Sequence, residues 1–326
     1  MSRIVLVAPA GISSAHGVVD QARLLVARLL ELGHDPRLIV VRAPRATEPP
    51  PADDPKIRSR ETTVPVGDLW EVLDDSIDTL WVHWANFGLA EWRHVGSPLG
   101  FARTLRAWRR AHPRTRLALS VHEGWEQPPF TQQPIRRIRG WVQRPPLTIA
   151  LSAADGVAVN CDRWMHRVGR RVGGNVVKLP TPSNFPPPPA SHPFEQRSDV
   201  VVMGGPDQRA HLLEQLRRSD LWRTVVTDPD ARIHNIGSKP QDEAPVHGLP
   251  VVNHGFLETA AVVDILAACC LGAIDLPDDV VDKSTVAATC RAHGLATLNF
   301  ASGRIEPHDS VAATTIDDLV SWVLHV

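Results

Sequence analysis

The chain opens in the same way twice. Ile4-Val5-Leu6-Val7-Ala8-Pro9-Ala10-Gly11 is an unbroken apolar run into a glycine, followed by a polar loop to Gly17 and a helical pattern ending at Leu32-Gly33. Val200-Val201-Val202-Met203-Gly204-Gly205 repeats the arrangement, with a helical pattern through Leu216. Continuous rather than alternating apolar runs mark strands buried on both faces, and such strands belong to parallel sheets covered by helices. Starting this motif twice within 326 residues constrains the chain to two α/β domains, each long enough to bury its own core. Between the two openings stands Leu179-Pro180-Thr181-Pro182-Ser183-Asn184-Phe185, followed by four more prolines. This predicts a first domain at 1–180, a proline-rich hinge at 181–196 and a second domain at 197–326. Two doubly wound, Rossmann-like domains facing each other across a hinge predict a cleft enzyme for a large phosphorylated substrate.

The strand and helix patterns keep alternating in both halves, as parallel sheets require. The first half has strand patterns at Leu38–Val41, Thr79–Trp84, Arg116–Val121, Gly156–Val159 and Val176–Leu179, and helical ones at Leu99–Ala111 and Asp162–Val172. Residues 43–63, rich in proline and charge, predict a loop, and 127–146 a long loop with a short helix. The second half has strand patterns at Arg232–Ile236, Val251–Gly255, Leu271–Leu276 and Ala296–Asn299, and helical ones at Thr259–Ala268, Ser284–His293 and Thr315–Val326.

A formal net charge of −1 gives no global field toward nucleic acid, so no nucleic-acid partner is expected. Arginines do concentrate between Arg103 and Arg144, a stretch suited either to a solvated helix face or to a peripheral anionic surface. No run reaches the ~20 apolar residues of a membrane span. The chain enters its first strand with no room for a leader, which predicts a cytoplasmic protein. Cys161, Cys269, Cys270 and Cys290 show no CxxC spacing, so neither a metal site nor a disulfide framework is indicated. Tyrosine is absent, which excludes it as a nucleophile or acid.

Candidate functional residues fall where strands end. The loop Gly11–Gly17 lies between strand and helix, where backbone N–H groups can receive anions or substrate oxygens. His83 and His122-Glu123 close two strands of one parallel sheet, so they should converge on its carboxyl edge although 39 positions apart. Lys283-Ser284-Thr285 precedes a helix whose free N–H groups favour a phosphate, and Arg209 follows Gly204-Gly205 at the neighbouring strand end. Asp275, Asp278, Asp279 and Asp282 surround Lys283 without metal-ligand spacing; they predict a loop that keeps the lysine charged. In the first half, His16, His83, Trp84 and Trp125 add aromatic faces, which suit sugars and aromatic molecules.

Taken in order along the chain, Val121-His122-Glu123, Leu179-Pro180-Thr181-Pro182-Ser183-Asn184, Asn253-His254-Gly255-Phe256-Leu257 and Lys283-Ser284-Thr285 through His293-Gly294 resemble the retaining GT-B glycosyltransferases. They are most similar to bacterial family-4-type enzymes, which use nucleotide sugars. The resemblance implies a second domain that holds a nucleoside diphosphate sugar as co-substrate, a first domain that holds the acceptor, and no other cofactor. It implies that Arg209 and Lys283 bind the diphosphate with Gly205, Ser284 and Thr285, and that His122 meets the donor sugar with Glu123 beside it. Gly255-Phe256-Leu257 would lie by the nucleobase, Gly11 and Gly17 under the sugar or phosphate, and His16, His83, Trp84 and Trp125 on the acceptor side. The chain departs from the broader family at Val281 and Thr289, where that family carries two glutamates. Two other readings stay open: an epimerase or hydrolase of nucleotide sugars with Glu123 as base or acid, and a binding protein that keeps the fold without catalysis.

Overall fold

A computed structural model describes residues 1–10, 17–42, 52–85, 96–123, 134–172, 176–188, 193–241, 243–309 and 313–326. The chain divides into one unit of Met1–Leu179 with Ile316–Val326 and another of Pro180–Thr315.

In the first unit the apolar run becomes β1 (Arg3–Pro9), followed by α1 (Gly17–Glu31) and β2 (Asp35–Arg42). Then come α2 (Pro55–Arg58), β3 (Glu61–Pro65), β4 (Thr79–Ala85), α3 (Gly96–Ala111) and β5 (Arg116–Glu123). The unit continues with α4 (Pro134–Leu151), β6 (Gly156–Val159), α5 (Asp162–Val172) and β7 (Val176–Lys178). The seven strands form one parallel sheet in the order β3-β2-β1-β4-β5-β6-β7. Six of the seven β1 residues are buried, as expected of a strand with helices on both faces.

The second unit carries β8 (Asp199–Met203), α6 (Pro206–Arg218), β9 (Ile233–Ile236), β10 (Val251–Gly255), α7 (Thr259–Ala268) and β11 (Cys269–Ile274). It ends with α8 (Thr285–Ala292), β12 (Ala296–Asn299) and β13 (Arg304–Glu306). Its sheet runs β10-β9-β8-β11-β12-β13, parallel except for the last pair. One apolar cluster, with Val200, Val202, Leu212 and Leu216, lies on one face; another, with Val201, Met203, Leu266 and Cys290, lies on the other.

Three expectations give way. Residues 43–63 are not wholly loop: Asp54 caps α2 by accepting from the Lys56 amide at 2.7 Å, and β3 pairs with β2 from Glu61. Arg23 on α1 clasps Glu61 at 2.7 Å, which ties this edge strand to the helix above it. The segment ending at Pro146 is not a long loop, because α4 runs through Pro145 and Pro146 to Leu151, anchored by buried Leu147, Ala150 and Leu151.

The third concerns the last helix, α9 (Ile316–His325), which was expected in the second domain. Its Leu319, Val320 and Val323 instead join Val19, Ala22, Leu25 and Val26 of α1 in the core of the first unit. The Trp322 ring meets Trp81 of β4 edge-on, with ring centres 5.9 Å apart. Residues 181–188 of the expected hinge belong to the second unit. Thr181 N–H donates to Asp282 at 2.8 Å and the Ser183 hydroxyl sits 3.1 Å from that of Thr289, so the prolines are fastened to the second unit.

Leu319→Ala should therefore destabilise the first unit by about 2–5 kcal/mol, the usual range for emptying a buried leucine site. Nine of the ten tryptophans lie in that unit, so fluorescence-detected urea unfolding should show a lower midpoint. An unchanged midpoint would contradict the packing of α9 on α1.

Candidate functional site

A parallel sheet binds ligands where its strand order reverses, beyond the carboxyl ends of the two strands that flank the reversal. In the second unit those strands are β8 and β11. Gly204-Gly205 follows β8 and leads into α6; a 3-10 turn at Asp278–Lys283 follows β11 and leads into α8. Arg209 and Lys283-Ser284-Thr285 therefore belong to the same reversal.

Arg209 is not a loop residue. It sits in the first turns of α6 and is only 1% exposed. Its Nε donates to the Gly204 carbonyl at 3.0 Å, one terminal nitrogen to Asn235 Oδ1 at 2.8 Å, and the other to the carbonyls of Ser238 and Lys239. Four of its five N–H groups are thus committed to neutral oxygens on β9 and on the loops after β8 and β9. Among the described residues no carboxylate pairs with it, and burial pulls the guanidinium below its ordinary value. The result is a buried cation with a fixed fork and no counter-charge.

The loops are shaped to admit that fork. Gly237 has φ of 143°, and a Cβ there would lie 2.9 Å from Arg209 Nε and 3.0 Å from the Gly204 carbonyl. Asn235 is fully buried and hydrogen-bonds Asn253 on β10, and the Asn253 amide donates to Gln241 O and Glu243 Oε1 at 3.0 Å each. Neither Asn235 nor Gly237 was singled out from the sequence. The available signal was a polar His-Asn pair between two isoleucines, with Asn235 two positions before a glycine.

Lys283 is exposed at the end of its turn. Ser284 caps α8, its hydroxyl accepting from the Ala287 amide at 3.2 Å, and Thr285 is half-buried at the first helical position. Gly205 is the residue before α6, with Pro206 opening the helix. The aspartates face elsewhere than expected: Asp275 meets His211 at 2.8 Å, Asp278 meets Asn299 at 3.2 Å and Asp282 meets Arg291 at 2.8 Å. Val281 and Thr289 are both buried, the latter bonded to Thr285 O at 2.7 Å. No group of three or more His, Cys, Asp or Glu is arranged for a metal among the described residues.

β10 ends at Gly255, with φ of 68°, and Phe256 beyond it is 82% exposed, while Leu257 packs into the core. The preceding His254 has Nε2 2.8 Å from Nδ1 of His234, whose Nε2 is 3.0 Å from Asp199.

In the first unit His83 and His122 meet across β4 and β5, with Nδ1 of His83 2.9 Å from Nε2 of His122 and rings stacked 5.1 Å apart. A bulge between Trp84 and Ala85 shifts the register here. Burial pushes His83 well below its ordinary value, reinforced by His122, and burial alone brings His122 down to about 4. Both rings are neutral at pH 7. His83 Nε2 is buried with no partner among the described residues, and a bare lone pair is cheaper to bury than an orphaned N–H. That assigns the shared proton to His83 Nδ1, so His122 accepts at Nε2 and carries its own proton on Nδ1. Glu123 is half-buried at the end of β5.

His83 and Trp84, expected on the acceptor side, are 1% and 0% exposed. His83 stacks on Trp81 at 5.2 Å and Trp84 packs edge-on against Phe101 at 6.0 Å; both are core. Gly11, His16 and Trp125 lie outside the described residues, and Gly17 is the first residue of α1.

No family model and no curated protein matches the chain. Solved structures do. The chain is similar to an alpha-glucosyltransferase in complex with UDP-glucose and DNA containing an abasic site, at 10% identity and TM-score 0.57, over 99% of this chain and 90% of that one. It is similar to an alpha-glucosyltransferase in complex with UDP, at 10% identity and TM-score 0.54, over 93% and 81%. It is also similar to a sucrose-phosphate synthase from Thermosynechococcus elongatus, at 14% identity and TM-score 0.51, over 100% and 89%.

A histidine held neutral in the folded state costs stability in acid. Unfolded histidines protonate near their ordinary pKa of about 6.5. The unfolded chain then binds the extra protons, and stability contributed by His83 and His122 is complete above that value and lost as pH falls toward about 4. Urea midpoints should fall between about pH 7 and pH 5 more steeply in the wild type than in His83→Gln. Parallel slopes would contradict a neutral pair. Gly237→Ala should cost on the order of 2 kcal/mol in the same assay through its strained φ and its clash with Arg209. The two Rossmann-like parallel sheets, in these strand orders, are those of the GT-B fold.

Proposed function

We propose that this protein transfers a sugar from a nucleoside diphosphate donor to a nucleophilic acceptor, with retention and without a metal. The observation that carries this reading is the buried, uncompensated Arg209 at the strand-order reversal of the second unit. A cation fixed to neutral oxygens favours an anion nearby, and the adjoining elements suit a diphosphate: the capped start of α8 and the exposed Lys283 ammonium.

The roles divide by accessibility. Arg209, almost without exposed surface, acts through its field and through the loops it anchors, whereas Lys283 and the first N–H groups of α8 meet the phosphate oxygens directly. The exposed Phe256 ring offers a stacking face to the base. UDP accompanies one of the similar glucosyltransferases and UDP-glucose another, which makes uracil the first base to test. His122 presents a neutral N–H donor to a sugar hydroxyl.

In the reaction the bond between the anomeric carbon and the diphosphate oxygen breaks while the acceptor oxygen bonds that carbon. The acceptor's proton leaves with the diphosphate. Negative charge grows on the leaving group, and fixed cations and helix dipoles aimed at it lower the barrier without reorganising. The absence of carboxylates at Val281 and Thr289 removes two donor-binding groups of the resembled family, not the cations that stabilise the leaving group.

Lys283→Ala should lower kcat by about 10²–10³, the usual loss for one charge-stabilising donor, with the unfolding midpoint unchanged because the side chain is exposed. Phe256→Ala should weaken UDP binding by roughly ten-fold, measured by calorimetry, and leave affinity for inorganic pyrophosphate intact. Full turnover in Lys283→Ala would remove the proposed mechanism. Consumption of the donor without acceptor would favour the epimerase or hydrolase reading, for which half-buried Glu123 is the available carboxylate.

A further inference from the structure

We propose that the outer face of α4 in the first unit is a docking surface for an anionic lipid bilayer. Large apolar side chains exposed to water are few among the described residues, and three of them fall within five positions of this helix: Ile138 at 49%, Trp141 at 55% and Val142 at 40% exposure. Pro145 is exposed as well, so the four sit at i, i+3, i+4 and i+7 and form one stripe along the helix. The opposite side of α4 is already used, since Gly140, Pro146, Leu147, Ala150 and Leu151 are buried. Among the described residues this apolar stripe, opposite the helix's own core face, has no partner, and a tryptophan at its centre is the residue that best tolerates a lipid–water boundary.

Charge chooses the occupant. The sequence of α4 holds Arg136, Arg137, Arg139 and Arg144 and no aspartate or glutamate. The helix packed beside it, α3, also lacks carboxylates and exposes Arg103, Arg106 and Arg110. Burial, and after it the nearby Arg144, hold the Arg171 guanidinium of α5 below its ordinary value. A protein partner or a second copy would need acidic groups to answer this field, and a copy of the same face is itself basic. A bilayer bearing anionic headgroups supplies both the negative surface and the apolar layer beneath it. No helix among the described residues is long and apolar enough to cross a membrane, so the attachment is peripheral.

The test is co-sedimentation of the full chain with vesicles of phosphatidylcholine alone and of phosphatidylcholine with phosphatidylglycerol. Binding is expected only with phosphatidylglycerol and is expected to weaken with salt. Arg144→Glu should weaken it by at least about five-fold, the effect of one interfacial charge. The pair Ile138→Ser and Trp141→Ser should weaken it about ten-fold or more. These side chains are exposed, so circular dichroism and the unfolding midpoint should not change. Lys283→Ala should bind vesicles as the wild type does, which separates this result from the fate of the proposed activity. Equal binding to both vesicle types, no binding to either, or variants that bind normally would overturn the proposal. So would a dimer of the wild type that the Ile138→Ser and Trp141→Ser pair converts to a monomer.

Discussion

A guanidinium that no carboxylate among the described residues pairs with organises the carboxyl edge of the second unit. Arg209 draws Gly204, Asn235, Ser238 and Lys239 onto one fork, and thereby joins the loops after β8 and β9. Burying an unpaired charge is expensive, and here the cost is offset only in part by four neutral acceptors. Gly237 is needed because any side chain would occupy the space of the fork. Asn235 and Asn253 extend the network to β10 and position the turn that carries Phe256. The structural role and the electrostatic role come from one residue.

The first unit solves a different problem at the corresponding edge of its sheet. There the polar groups are two imidazoles kept neutral by burial, stacked on Trp81 and on each other. A neutral pair can orient a hydrogen bond to a hydroxyl but contributes little field. The two units thus offer distinct chemistry, cationic in one and neutral and directional in the other.

Much of this was legible in the sequence for a simple reason. Strands buried on both faces read as continuous apolar runs, so β1, β4, β8 and β11 stood out, and in a parallel sheet their ends share an edge. The same logic brought His83 and His122 together from 39 positions apart. What stayed illegible depended on tertiary contact. Glu61-Thr-Thr-Val-Pro65 is a strand because β2 offers an edge, α4 tolerates Pro145 and Pro146 because its far side is buried, and α9 chose the core of α1 over the unit that precedes it in sequence. Arg209 looked like a phosphate ligand in a loop. Nothing local to it reveals that backbone carbonyls near Gly237 would take most of its donors.

The central claim is that the second unit holds a diphosphate through fixed positive charge. Calorimetric titration with UDP and with uridine under identical conditions tests it most directly. The account predicts measurable UDP binding that weakens as salt is raised, and uridine binding at least about a hundred-fold weaker, because the nucleoside lacks the group the cations recognise. Uridine binding as tightly as UDP, or UDP affinity indifferent to salt, would contradict it.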